Sequence, residues 1–278
     1  MTEMTPDDAQ SPLSHPVTIK RADNLIAVAS GKGGVGKTWF SVTLAHALAK
    51  SGKKVLLFDG DLGLANVDVQ LGLMPKRDLN DVIRGRLGLD KVIQRFEEGS
   101  FDIIAGRSGQ ASLSALPSQR LALLRDQLLE VAATYDVVIA DLGAGVDRTV
   151  RLFSASSACT LLVTTDEPTA LTDAYAFIKL GAAAGVSRNI NIVINMATSV
   201  SEGEKTYKTL LKACENFLRL SPPLMGLIRQ DARVKECIRS QTPILNRTPN
   251  AEAAMDVEKI AKRVMALVEN AKLKTARG

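Results

Sequence analysis

Histidine is nearly missing from this chain: His15 and His46 are the only two in 278 residues. Acid–base work near neutrality therefore falls to carboxylates, lysines and bound groups. Cysteine is scarce as well. Cys159, Cys214 and Cys237 stand far apart with no C-x-x-C pair, which argues against a zinc site, a redox dithiol or a disulfide framework and leaves each as a small apolar residue. No apolar run approaches the roughly 18 residues that a membrane-spanning helix needs. The first residues also lack the charged-then-apolar order of a signal peptide, so a cytoplasmic protein is expected.

What is present is a core-forming chain with a slightly basic balance. A hydrophobic content of 46% suffices for one large α/β domain. The net charge is +5, and much of the excess lies near the end, where Lys259, Lys262, Arg263, Lys272, Lys274 and Arg277 face a single Glu269, a hint of an acidic partner surface. Residues 1–22 carry Pro6, Pro12 and Pro16 among Ser, Thr and Asp and read as an unstructured leader. Residues 23–278 read as a single domain closed by a C-terminal helix, with folding expected from about Asn24.

Apolar runs of strand length recur at Leu25–Ala29, Lys54–Asp59, Phe101–Ala105, Asp136–Asp141, Cys159–Thr164, Ile190–Asn195 and Leu224–Ile228. Helical patterns lie between them, at Ser41–Lys50, Ser118–Ala133, Val146–Ser157, Thr169–Gly185, Ser201–Leu220 and Ala251–Leu273. The alternation predicts a doubly wound α/β fold, a mostly parallel sheet with helices on both faces. Ligands of such sheets sit beyond the carboxyl ends of the strands.

One such end carries the octet Gly31-Lys32-Gly33-Gly34-Val35-Gly36-Lys37-Thr38. Its Gly-x-x-x-x-Gly-Lys-Thr frame is a phosphate cradle: the glycines let backbone N–H groups face phosphate oxygens, and the following helix start adds its positive end. Lys37 would neutralise the β- and γ-phosphates of ATP, and Thr38 would offer its hydroxyl to Mg²⁺. Lys32 is one lysine more than a cradle needs.

Two further strand ends carry acids. Asp59 and Asp61 follow Val55-Leu56-Leu57-Phe58, and Asp141 ends Val137-Val138-Ile139-Ala140. Asp141 fits the acid that holds Mg²⁺ or its water shell. Asp61, further into its loop, fits the group that orients the attacking water, and Asp59 a position behind the metal. Gly143 and Gly145 follow Asp141 as a loop that shifts around a γ-phosphate would need.

With these motifs in place the sequence resembles the MinD/ParA family of deviant Walker A ATPases, whose loop reads K-G-G-V-G-K-T as Lys32 to Thr38 do here. The resemblance covers about Asn24 to Leu245. Two other stretches, Phe58 to Asp68 and Thr164 to Tyr175, are similar to the family's flagellar-number regulators (FlhG and FleN). The family's pattern implies a P-loop fold and a homodimer sandwiching two ATP molecules. It also implies that Lys32 reaches the partner's phosphates, that Asp61 is the hydrolytic aspartate, that Asp141 lies beside the metal and that Asn195 reads adenine. The implied partners are a flagellar regulator or polar landmark protein and a membrane surface. In the alternative of a ParA-like cargo positioner, the partner is nucleic acid.

Three departures qualify the resemblance. Arg229 stands where the family usually has proline. Pro6-Asp7-Asp8-Ala9-Gln10 is at best a remnant of the segment with which flagellar members activate a partner GTPase. The C-terminal helix lacks the Trp or Phe of membrane-binding endings. Its stripe of Ala253, Val257, Ile260, Ala261, Val264 and Val268 suits either core packing or membrane docking.

Overall fold

The computed structural model describes residues 20–61, 67–106, 113–183 and 189–275. Of the expected leader, residues 1–19 lie outside the described residues, and the first strand already begins at Ala22, two residues before the expected start. In chain order the strands are β1 (Ala22–Ser30), β2 (Val55–Gly60), β3 (Gln94–Phe96), β4 (Phe101–Ile104), β5 (Val137–Ala144), β6 (Ser157–Thr164), β7 (Ile190–Ala197) and β8 (Leu224–Arg229). The helices are α1 (Lys37–Lys50), α2 (Val67–Leu71), α3 (Leu79–Ile83), α4 (Ser118–Ala132), α5 (Arg148–Ser156), α6 (Pro168–Ala183), α7 (Val200–Leu218), α8 (Ala232–Arg239), α9 (Ile244–Arg247) and α10 (Glu252–Thr275).

The strands form one sheet in the order β3-β4-β2-β5-β1-β6-β7-β8, parallel throughout except for β3, which runs antiparallel to β4 at the edge. Helices on both faces bury both sides of the central strands, which is why these read as unbroken apolar runs. Alternation along each strand divides the core. Ile26, Val28, Leu57 and Ile139 face α1 and α10, whereas Leu25, Ala27, Leu56 and Val138 face the cluster containing Leu124, Leu128, Phe153 and Phe177.

Helix α1 departs from its expected form in two ways. It starts at Lys37, four residues before the expected Ser41, and it is buried on nearly every side rather than amphipathic. The cause is its neighbours: α10 packs beside α1 on the same face of the sheet, against β8 and β1, and α2 and α9 cover more of it. The same contact settles the stripe on α10: Ala253, Val257, Ile260, Ala261, Val264 and Val268 are all buried and belong to the core. Among the described residues no helix is long and apolar enough to cross a membrane.

The helix entrances follow local chemistry. Asp147 caps α5 by accepting the Val150 N–H at 2.9 Å, and Ser199 caps α7 through the Glu202 N–H at 3.1 Å. β5 continues to Ala144, so Gly143 lies in the strand and not in a loop as expected. Gly145, at φ +94°, begins the turn and donates its N–H to the Ser30 carbonyl at 2.8 Å.

Candidate functional site

The octet runs from the end of β1 into α1, and the fold leaves its glycines little freedom. Gly34 and Gly36 sit at φ +83° and +84°, a region that disfavours any side chain. A Cβ on Gly31 would lie 2.4 Å from the Asp173 carbonyl on α6, and one on Gly36 would lie 2.4 Å from Asn195 Nδ2. No side chain caps the start of α1, so its first N–H groups and positive end are left to an anion.

Lys37, the first residue of α1, is buried to 7% exposure. Its Nζ lies 3.1 Å from Asp141 Oδ1 and 3.8 Å from Asp61 Oδ2. Ser41, one turn on, donates its hydroxyl to Asp141 Oδ1 at 2.9 Å. The sequence marks Ser41 only as a helix start and not as a site residue; its signal is a hydroxyl one turn after Lys37, on the same face of the helix. Asp59 and Asp141 are register partners on β2 and β5, both fully buried, and Asp59 Oδ1 accepts the Asp61 N–H at 3.2 Å.

Two carboxylates side by side in a dry sheet end resist ionising together. Burial first, and the neighbouring Asp141 charge second, push the Asp59 carboxyl up to about 7. A raised folded-state value means that the native protein holds this proton more tightly than the unfolded chain between about pH 4 and 7. Asp59 thus supports the free fold fully in acid and loses that support as pH rises through 7. Asp59→Asn removes the buried charge and should raise the melting temperature of the free protein by about 5 °C at pH 8 and by little at pH 4.5. Thermal unfolding at the two pH values checks this; an equal shift at both would mean that the carboxyl does not titrate.

Asp59 Oδ2 and Asp141 Oδ2 are buried acceptors without a hydrogen-bond partner. Hard oxygen donors beside a threonine hydroxyl fit Mg²⁺, which takes one or two carboxylates and fills its remaining positions with water and phosphate. Among the described residues no three His, Cys, Asp or Glu side chains gather into a metal cage.

A cleft of about 680 Å³ opens over the octet. Its lining includes Gly33, Gly34, Lys37 and Thr38 from the octet, Asp61 and Gly143 from the ends of β2 and β5, and Ile228 to Asp231 with Val234 from the end of β8 and the start of α8. Asn195 also lines it, but its amide is engaged with the protein: Nδ2 donates to the Val35 carbonyl at 2.8 Å, and Oδ1 accepts the Met196 N–H at 2.9 Å. It thus buttresses the octet, a contact that the sequence did not suggest. Arg229, in place of proline, turns back to Asp256 and Glu252 on α10.

The octet's two lysines part company. Lys37 points inward to the acids, whereas Lys32 Nζ reaches Glu167 Oε2 and Thr169 Oγ1, each at 2.8 Å, at the start of α6. Lys32 and Glu167 are partly exposed, with side chains at 38% and 62%. The octet therefore carries one buried cation and one at the surface.

Residues 26–244 match the CobQ/CobB/MinD/ParA nucleotide binding domain. The chain is 39% identical over 251 residues to the antiactivator FleN of Pseudomonas aeruginosa, covering 90% of this chain and 87% of that protein. It is 33% identical over 255 residues to the flagellum site-determining protein YlxH of Helicobacter pylori, covering 89% and 84%. The cell division ATPase MinD of Pyrococcus furiosus shares the fold with a TM-score of 0.72 at 25% identity, over 88% of this chain and 100% of that one. A P-loop joined to acids at the ends of two parallel strands, and a family match over most of the chain, place this protein in the CobQ/CobB/MinD/ParA family of nucleotide-binding proteins.

Proposed function

We propose that this protein is a Mg²⁺-dependent ATPase that switches between an ATP-bound dimer and a monomer, and that its output is control of the number or placement of the flagellum. The observation that carries the reading is the divergence of the two lysines. Lys37 is held 3.1 Å from Asp141 inside the cleft, and Lys32 stands at the surface on Glu167. A surface lysine beside the phosphate cradle is placed to leave Glu167 for the phosphates of a second copy, an exchange of one anionic partner for another.

In this reading Gly31 to Thr38 hold the phosphates. Mg²⁺, when bound, neutralises charge on the β- and γ-phosphates, with Thr38, Asp141 and Asp59 as its protein side. Lys37 turns from the acids to phosphate. Asp61 lines the cleft while Asp59 is fully buried behind it, which suits Asp61 to orienting water. Asn195 borders the base. The names of the relatives, an antiactivator and a flagellum site-determining protein, support the flagellar output.

Sedimentation with and without ATP tests the switch. Lys32→Ala should leave ATP affinity within about threefold, because Lys32 Nζ is partly exposed and already paired, and should abolish the ATP-dependent dimer. A Lys32→Ala protein that still dimerises with ATP sinks the cross-dimer role. Cells lacking the protein should carry flagella in altered number or position, and unchanged flagella would sink the output.

A second reading, a nucleoid-bound cargo positioner, draws on Lys205, Lys208 and Lys212, exposed along one face of α7. It requires ATP-dependent retention on nonspecific DNA that collapses as salt rises. Absence of such retention at low salt leaves the flagellar reading alone.

A further inference from the structure

The wall of the cleft at the end of β8 is held by the C-terminal helix. Arg229, the last residue of β8, donates its backbone N–H to Asp256 Oδ2 at 3.2 Å and its Nε to the same oxygen at 2.8 Å. Its Nη2 donates to Asp256 Oδ1 at 3.0 Å, completing a two-pronged pair, and Nη1 reaches Glu252 Oε1 at 2.5 Å. Asp256 is nearly enclosed, with its side chain 6% exposed, and Lys259 Nζ lies 3.1 Å from Oδ1. Burial pushes the Asp256 carboxyl up, but Arg229 and Lys259 outweigh it and hold the group below the usual carboxylate range.

The next two residues are tied down as well. Gln230 donates its N–H to the Ala197 carbonyl at 2.8 Å, and Asp231 accepts the Arg233 N–H at 3.0 Å, capping α8. Three successive residues are thus fixed to α10, β7 and α8 in turn. All three line the same cleft as Gly33 to Thr38, and so does Ala253, between Glu252 and Asp256 on α10. A nucleotide with its phosphates on the octet would place its base against this wall.

We infer that Asp256 is a positioning residue for the nucleotide base: it fixes Arg229, the first of the three residues, and so completes the preset base-binding wall. The inference rests on the reading of the cleft as an ATP site. A wall already ordered in the free protein loses no chain freedom when the base arrives, which raises affinity without adding a contact. Asparagine at 256 would keep the shape of the side chain but set its amide donors against the guanidinium donors, breaking the two-pronged pair.

The test compares ATP with inorganic tripolyphosphate, which has the phosphates and no base. In Asp256→Asn, ATP affinity should fall about tenfold, tripolyphosphate affinity should stay within twofold, and turnover at saturating ATP should be unchanged. Arg229→Lys keeps the charge but not the two-pronged geometry and should repeat the loss of ATP affinity with tripolyphosphate affinity kept, so the inference stays testable if Asp256→Asn fails to fold. Equal losses for ATP and tripolyphosphate, or no loss of ATP affinity in either variant, overturn it. A wild-type chain that binds tripolyphosphate as tightly as ATP overturns this inference alone. One that binds neither overturns the ATP reading and this inference together.

Discussion

Lys37→Ala should abolish ATP binding and weaken the free fold, two losses with separate causes. The first follows from removing the cation that, in the proposed ATP site, faces the β- and γ-phosphates: a lost charge-assisted contact predicts a fall in affinity of about 100-fold or more, read by titration with a fluorescent ATP analogue. The second follows from what Lys37 leaves behind. Asp141 is 1% exposed and its Oδ1 pairs with Lys37 Nζ at 3.1 Å, while Asp59 is buried beside it in register. Breaking a buried pair from one side strands a charge, at a cost of about 3–5 kcal/mol, so the melting temperature should drop by about 10 °C. Lys37→Ala/Asp141→Ala should regain most of that loss and none of the affinity, because it clears the stranded charge without restoring the cation. If the double variant melts no higher than Lys37→Ala, the pair is not what holds this end of the sheet.

The features legible in the sequence are those whose physics is local. The glycines of the octet, which sit at φ +83° and +84°, and the acids at the ends of the apolar runs of β2 and β5 mark strand ends by composition alone, so the sequence by itself singles out Lys37, Asp59, Asp61 and Asp141 as candidates. The structure gathers them because parallel strands bring their carboxyl ends to one edge. β3 went unseen: three residues, Gln94–Phe96, are too few to show a period, and only pairing with β4 makes them a strand. The short α2, α3, α8 and α9 escaped for the same reason. The stripe on α10 was ambiguous because a helix face looks the same whether it meets a membrane or a neighbouring helix. The contact with α1, more than two hundred positions earlier in the chain, decided it. Asn195 shows the limit from the other side. Its bond to the Val35 carbonyl spans 160 positions, and no local pattern announces it. Within the stretch Phe58 to Asp68, residues 62–66 lie outside the described residues.

Asp61→Ala separates holding ATP from cleaving it. Asp61 lies on the wall of the cleft with its side chain 24% exposed and Oδ2 3.8 Å from Lys37 Nζ, a looser approach than that of Asp141. An ion pair at that distance adds little to the hold on Lys37, and removing the carboxylate relieves some negative charge where phosphates arrive. Affinity for ATP should therefore hold within a few-fold or rise. A water without its orienting carboxylate attacks more slowly by about 10²–10³-fold, so phosphate release should fall by that factor with the Michaelis constant little changed. In the proposed switch the dimer ends only when the γ-phosphate is lost, so the slow variant should accumulate as a dimer in ATP, and adding Lys32→Ala should return it to monomer without restoring hydrolysis. Phosphate release and sedimentation on the same samples read both effects. An Asp61→Ala protein that hydrolyses at the wild-type rate would move the water-orienting role to another group, and one that loses ATP affinity in parallel with turnover would make Asp61 part of the cradle.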